Sequence, residues 1–128
     1  MPVWFGIERR RNKNGLKGYY LDEDEKRIAR SLVRLEDKRR RGKLKRRTTS
    51  FDRRTHEAIE KANADIALTS DLLNKIRQNI IDGTAWEYLG DTYCGRDTFY
   101  RYARIYLFYV ARNMGITEDT KKKGGDRG

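Results

Sequence analysis

The stretch "CGRDTFYRYAR", residues 94–104, places Arg96, Arg101 and Arg104 among Phe99, Tyr100 and Tyr102. An arginine guanidinium can make two hydrogen bonds to a guanine edge or to a phosphate, and a threonine offers a hydroxyl and a methyl. On a helix that turns about 100° per residue, Phe99, Tyr102, Ala103, Tyr106, Val110 and Asn113 fall within about 60° of a common direction, a core face. Asp97, Thr98, Arg101 and Arg104 fall on the opposite side. Rings therefore face a core and cations face outward, in the N-terminal turns that a reading helix inserts into a major groove. Arg101 is expected at a base edge, and Arg96 and Arg104 at phosphates, with Tyr100 reaching a phosphate from the flank. Asp97 either caps the helix or accepts from a cytosine amine. Ile105 and Phe108 emerge on the same side as Arg101 and are expected to meet either the N-terminal aromatics or a second copy of the chain.

The second group is "KRRRGKLKRR", where all but two of ten residues are cations: Lys38, Arg39, Arg40, Arg41, Lys43, Lys45, Arg46 and Arg47. Charges this dense resist burial, so the segment is expected to be a phosphate-binding arm or an inert solvated linker. The whole chain has 128 residues, 30 Lys plus Arg against 19 Asp plus Glu, and a formal charge of +11. That field attracts polyanions and argues against a mimic of DNA.

Enzyme chemistry finds little to build on, and no enzymatic role is expected. His56 is the only histidine and reads as an exposed helix residue; Cys94 is the only cysteine and reads as a small hydrophobe in a turn. No metal site or cofactor is expected from such a set. The acids of "DEDE" read as helix-start charges rather than a nuclease cluster, and no glycine-rich phosphate loop or nucleophile elbow is present. The apolar patch at the N-terminus is too short for a signal peptide, and no run approaches the roughly twenty apolar residues of a membrane helix. A cytoplasmic protein with no membrane partner is expected.

The elements that must position these residues are helical. Residues 22–41 open on "DEDE" and close on "KRRR" before Gly42, the charge order and glycine stop of a helix, with Ile28, Leu32 and Leu35 as its stripe and Ala29 and Val33 widening it. Residues 51–69 form a second helix with Ile59, Ala62 and Ile66 on one side. A third follows with Ser70 as N-cap and Leu72, Leu73, Ile76 and Ile80 as stripe, unless the two run on as one. Gly83 ends it. Thr84-Ala85-Trp86-Glu87 fits a capping box and starts a short helix, which Gly90 and Asp91 weaken before the long helix over 97–114. Ahead of all these, residues 3–21 carry Trp4, Phe5, Tyr19 and Tyr20 around Asn14-Gly15, either a short hairpin or a basic arm docked on the core. The expected fold is all-α, a small helical bundle with a C-terminal helix-turn-helix at 84–114. Residues 1–50 hold the arm or hairpin, a helix and a linker, residues 51–116 the helical domain, and residues 117–128 a basic, disordered tail. A plain two-helix hairpin packed in the bundle would carry much of the same pattern.

"AWEYLGDTYCGRDTFYRYAR" resembles the terminal helix-turn-helix of sigma-factor region four, in the form carried by phage late-gene regulators of the RinA and ArpU type. Trp86, Glu87, Gly90, Arg96, Thr98, Phe99, Tyr100 and Arg101 match that pattern, which covers the C-terminal third of the chain. The turn is one residue shorter than usual, and Gly95 stands where a capping serine is common. The resemblance implies a sequence-specific, duplex DNA-binding transcriptional regulator of a phage or mobile element, with RNA polymerase as a further partner and homo-oligomers as a further state. Thr84, at the head of the first helix, joins the DNA-binding set. Two alternatives stand beside it: a small terminase-like DNA-packaging subunit, and an RNA-binding antiterminator or polymerase-binding module.

Overall fold

A computed structural model describes residues 18–118; the proposed hairpin turn, Trp4 and Phe5, and the tail beyond residue 118 lie outside the described residues. Four α-helices follow in order: α1 Glu23–Arg40, α2 Ser50–Ile66, α3 Ser70–Asp82 and α4 Arg96–Asn113, with a single 3-10 turn at Trp86–Tyr88 between the last two. No strand occurs among the described residues. The expected all-α bundle is what forms.

Each helix boundary has a local cause. Asp22 accepts from the Glu25 amide while the Glu25 side chain accepts from the Asp22 amide, a reciprocal capping box, so part of "DEDE" stabilises a helix start. At the far end the amide of Gly42 donates to the Arg39 carbonyl at 3.0 Å and that of Lys43 to the Lys38 carbonyl at 2.8 Å. With Gly42 at φ 71°, this is the left-handed stop that only glycine adopts without strain. Thr49 caps α2 in a second capping box with Asp52. Ala67, at φ 54°, ends α2 and settles the alternative: α2 and α3 are separate helices. The cap of α3 is Thr69, whose hydroxyl accepts from the Leu72 amide at 3.2 Å; Ser70, expected as the cap, is the first helical residue.

The core corrects the expected stripe of α1. Ala29, Leu32, Val33 and Glu36 are buried, Leu35 is half-buried and Ile28 is exposed, so the buried line lies one position round from the 28-32-35 row. Ala29, Leu32 and Val33 join Ala58, Ile59 and Ala62 of α2, Ile76 and Ile80 of α3 and seven residues of α4 in one core. The helix of residues 23–40 thus shares the core of the C-terminal helices rather than standing apart with the N-terminal segment. Helix α4 is the hub and packs against the other three, most extensively against α2. Its buried residues are Phe99, Ala103, Tyr106, Leu107, Phe108, Val110 and Ala111, a face centred on the expected one but wider. Tyr102 and Asn113 are only half-buried. Phe108, expected outward, is 1% exposed, because Tyr19 lies edge-on to its ring at 5.5 Å. An N-terminal aromatic therefore covers it, one of the two outcomes the sequence allowed, and Ile105 is half-buried.

One hydrogen-bonded post ties three helices together. The Tyr106 ring is fully buried; its hydroxyl donates to Asn63 Oδ1 on α2 at 2.8 Å and accepts from Arg77 Nη1 on α3 at 3.0 Å. Burial pushes this phenol above its usual pKa, outweighing the neighbouring guanidinium, so Tyr106 stays neutral.

Candidate nucleic-acid interface

The segment expected to supply the first helix of a helix-turn-helix forms no α-helix. Only Trp86–Tyr88 is helical, as a single 3-10 turn, with Ala85 at its N-cap and no side-chain cap bond. The Thr84 capping box is absent: Thr84 is half-buried and its carbonyl accepts from Asn79 Nδ2 at 2.8 Å. The physical reason is the bracketing. Gly83 and Gly90 sit at φ 74° and 83°, and the few residues between them cannot close enough intrahelical bonds to repay nucleation.

What forms instead is a loop pinned to the start of α4. The Trp86 amide donates to the Tyr100 hydroxyl at 3.1 Å, and Trp86 Nε1 donates to Thr92 Oγ1 at 3.0 Å. Thr92, buried, donates in turn to the Cys94 carbonyl at 2.9 Å, and Leu89 is buried beneath. Lys75 of α3 donates to the Asp91 carbonyl and so fastens the loop to a second helix. Two tyrosines on this loop escape the network: Tyr88 is 81% exposed and Tyr93 is 84% exposed. Tyr93 also stands at φ 58°, a left-handed conformation that costs a residue with a Cβ roughly 1–2 kcal/mol.

The three arginines in the N-terminal half of α4 divide three ways, while Arg112 near its end pairs with Asp65 at 2.6 Å. Arg101 is exposed and has no ion-pair or hydrogen-bond partner among the described residues. Arg96, the first residue of α4, is exposed, lies 3.7 Å from Glu87 and stacks near the Tyr100 ring at 5.7 Å. Arg104 departs from its expected outward position: it is half-buried, and its Nε is buried without a hydrogen-bond partner. Asp97 is exposed in the first turn and makes no cap bond, since Gly95 is the N-cap; there it faces the positive end of the helix dipole. Thr98 is half-buried, and the half-buried Tyr100 hydroxyl accepts from the Trp86 amide, which ties the ring to the loop and leaves its own O–H as a donor.

The basic segment is not a free arm. Lys38, Arg39 and Arg40 are the last turn of α1. Arg39 makes a bidentate pair with buried Glu36 at 3.0 Å, Arg41 pairs with Asp37 at 3.0 Å, and Arg46 grips buried Asp52 at 2.7 and 3.1 Å. Arg46 thereby fastens the α1–α2 connection to α2, whereas the Arg39 and Arg41 pairs lie within the C-terminal end of α1. Lys38, Arg40, Lys43, Lys45 and Arg47 remain exposed and unpaired among the described residues. Their ammonium and guanidinium groups face solvent on one connection of the bundle.

His56 is likewise not a free surface residue. Its Nδ1 lies 2.6 Å from Glu36 Oε2, so Glu36 takes Arg39 on one side and His56 on the other. Burial raises the Glu36 carboxyl, but the hydrogen bonds from Arg39 and His56 outweigh it and hold the group below its ordinary value. Asp52 is held far lower, first by Arg46 and then by the Thr49 amide. Sequence reasoning passed over both buried carboxylates. Thr49-x-x-Asp52 is a capping-box spacing, and Glu36-x-x-Arg39 is a helical ion-pair spacing, so each left a signal. Tyr88 and Tyr93 left none beyond their place in a loop.

Among the described residues no group of three or more His, Cys, Asp or Glu side chains is placed to hold a metal, and no helix is long and apolar enough to cross a membrane. Comparison with protein-family models, with curated proteins and with solved structures finds no match.

Proposed function

We propose that this chain binds duplex DNA as a transcriptional regulator of a phage or mobile element, with the N-terminal turns of α4 and the pinned loop before it as the reading surface. The observation that carries the reading is the exposed, unpaired Arg101 on the first turns of a core-anchored helix, next to a loop that holds Tyr88 and Tyr93 almost wholly in solvent. A rigid scaffold presenting arginine for base edges and rings for stacking or phosphate contact is the chemistry of sequence readout. Tyr93 supports it further. Its strained backbone is held by its amide donating to Asp91 Oδ1 at 2.8 Å while its ring is 84% exposed, and such outliers gather at binding sites. The regulatory role rests on the resemblance to phage late-gene regulators. In this reading Lys43, Lys45 and Arg47 hold backbone phosphates, whereas Arg39, Arg41 and Arg46 serve the fold.

The test is rounds of selection from a random duplex pool, followed by fluorescence anisotropy of the enriched and unselected duplexes. Arg101→Ala is expected to weaken the enriched duplex by about 1–3 kcal/mol and leave the unselected one nearly unchanged. Changing Lys43, Lys45 and Arg47 together to Ala is expected to weaken both and flatten the salt dependence. No enrichment, or an Arg101→Ala variant that binds as wild type, would sink the reading. The two exposed tyrosines favour one alternative, unpaired RNA bases stacked on the loop; tighter binding of an RNA hairpin than of any duplex at equal salt would decide for it.

A further inference from the structure

Away from the α4 surface, α1 and α3 part to leave an open polar cleft of about 460 Å³. Its notable side chain is Arg77. The residue is half-buried, its Nη1 is held by the hydroxyl of Tyr106, and no carboxylate pairs with it among the described residues. Its partner is a phenol hydroxyl rather than a carboxylate, so the half-buried guanidinium is fixed in orientation by the core with no ion-pair partner among the described residues. Retaining such a charge is costly unless an anion arrives to share its remaining N–H groups. Arg40, exposed and unpaired, lines the same cleft, as do the amide side chains of Asn74 and Gln78.

We infer that this cleft is a phosphate-ester site, in which Arg77 and Arg40 hold the oxyanion and Asn74 and Gln78 complete its hydrogen bonds. The inference rests on the nucleic-acid reading and extends it, because it assigns the cleft to a second stretch of backbone. Two features favour a phosphodiester over a doubly charged terminal phosphate. Arg40, Arg41 and Arg77 share the cleft lining with Asp37 and Asp82, and Asp37 is already paired to Arg41, so the surplus is a single positive charge. The cleft also continues into a smaller one of about 220 Å³ that adds Arg34, Lys38 and Lys43, a track for successive phosphates rather than a closed seat for one. Helix α3 links this track to the α4 surface, since Lys75, beside Asn74, holds the pinned loop through the Asp91 carbonyl.

Gln78 is exposed, so Gln78→Glu adds a repulsive charge to the cleft without touching the core. Ala64 is exposed on α2, outside the cleft lining, so Ala64→Glu adds the same charge elsewhere on the surface. Duplex binding is measured by anisotropy across a salt series for wild type, Gln78→Glu, Arg40→Gln and Ala64→Glu, with thermal melts to verify the fold. Gln78→Glu is expected to weaken binding about fivefold to tenfold and Ala64→Glu less than twofold. Arg40→Gln is expected to lower the salt slope by roughly one unit, as loss of one phosphate contact does. Equal effects of Gln78→Glu and Ala64→Glu would overturn the cleft while leaving Arg101 readout standing; a wild type that binds no nucleic acid would remove both. Adenosine monophosphate is the second probe. If it saturates wild type but not Gln78→Glu, while duplex binding ignores Gln78→Glu, the ligand is a free phosphate ester and the backbone assignment is overturned.

Discussion

Single residues in this protein act as joints, and Tyr106 is the principal one. Its hydroxyl is the shared point of α2 and α3 on α4, so Tyr106→Phe removes the partner of the half-buried Asn63 amide oxygen and of an Arg77 N–H. The expected loss is about 1–3 kcal/mol in urea unfolding, with the slope of the transition unchanged. The carboxylates Glu36 and Asp52 are joints of a second kind, and they fix the pH dependence. Both titrate below their ordinary values when folded, so they bind protons more readily in the unfolded chain. The stability they contribute is complete at neutral pH and is lost as pH falls through the ordinary carboxylate range toward their folded values. The urea midpoint of the wild type should therefore decline below about pH 5. Asp52→Asn should start lower at pH 7 and decline less steeply; an acid limb parallel to wild type would mean that other groups control it. The spacings Thr49-x-x-Asp52 and Glu36-x-x-Arg39 were legible in the sequence, but not the burial of the two carboxylates, which depends on the tertiary placement of α1 against α2.

At the scale of elements, sequence served best where the signal is local chemistry. The acids before α1, Gly42 after it and Gly83 after α3 each mark a boundary that the backbone bonds explain. The stripe of α1 was offset because Glu36, an ionised residue, occupies a buried position that periodicity assigns to an apolar one. Residues 84–95 misled for a different reason. A capping-box spacing favours a helix start but does not suffice for one, and two left-handed glycines leave the segment too short. The same left-handed criterion makes two substitutions informative. Ala67 ends α2 at φ 54°, so Ala67→Gly should stabilise the protein by about 1 kcal/mol, read as a higher urea midpoint. Tyr93→Gly relieves the same strain at φ 58° but removes an exposed ring. It should melt no lower than wild type while binding its duplex several-fold more weakly. A Tyr93→Gly protein that binds as well as wild type would reduce the loop to a connector.

The whole molecule carries a charge of +11 on one small core, and that imbalance sets two opposite responses to salt. The described ion pairs are a minority of its cations, and several of them, such as Glu36 with Arg39, are short-range and shielded from solvent. The remaining lysines and arginines repel one another through solvent, and salt screens such repulsion beyond a Debye length of about 10 Å at 0.1 M. Raising salt from about 50 mM to about 300 mM should therefore screen more repulsion than attraction and raise the melting temperature, since net self-repulsion destabilises a compact state. At about 4–8 °C per kcal/mol for a domain near this size, a gain of even half a kcal/mol is measurable. On the proposed reading, a polyanion replaces that screening at low salt. Random duplex DNA at 50-fold excess over its dissociation constant should raise the melting temperature through preferential binding to the folded state, by roughly RT ln 50 or about 2 kcal/mol. The same addition at high salt should do almost nothing, because counterions are then released into an already concentrated solution. A protein whose stability falls with salt would instead be governed by its ion pairs, and its excess of cations would then be a feature of the fold rather than of binding.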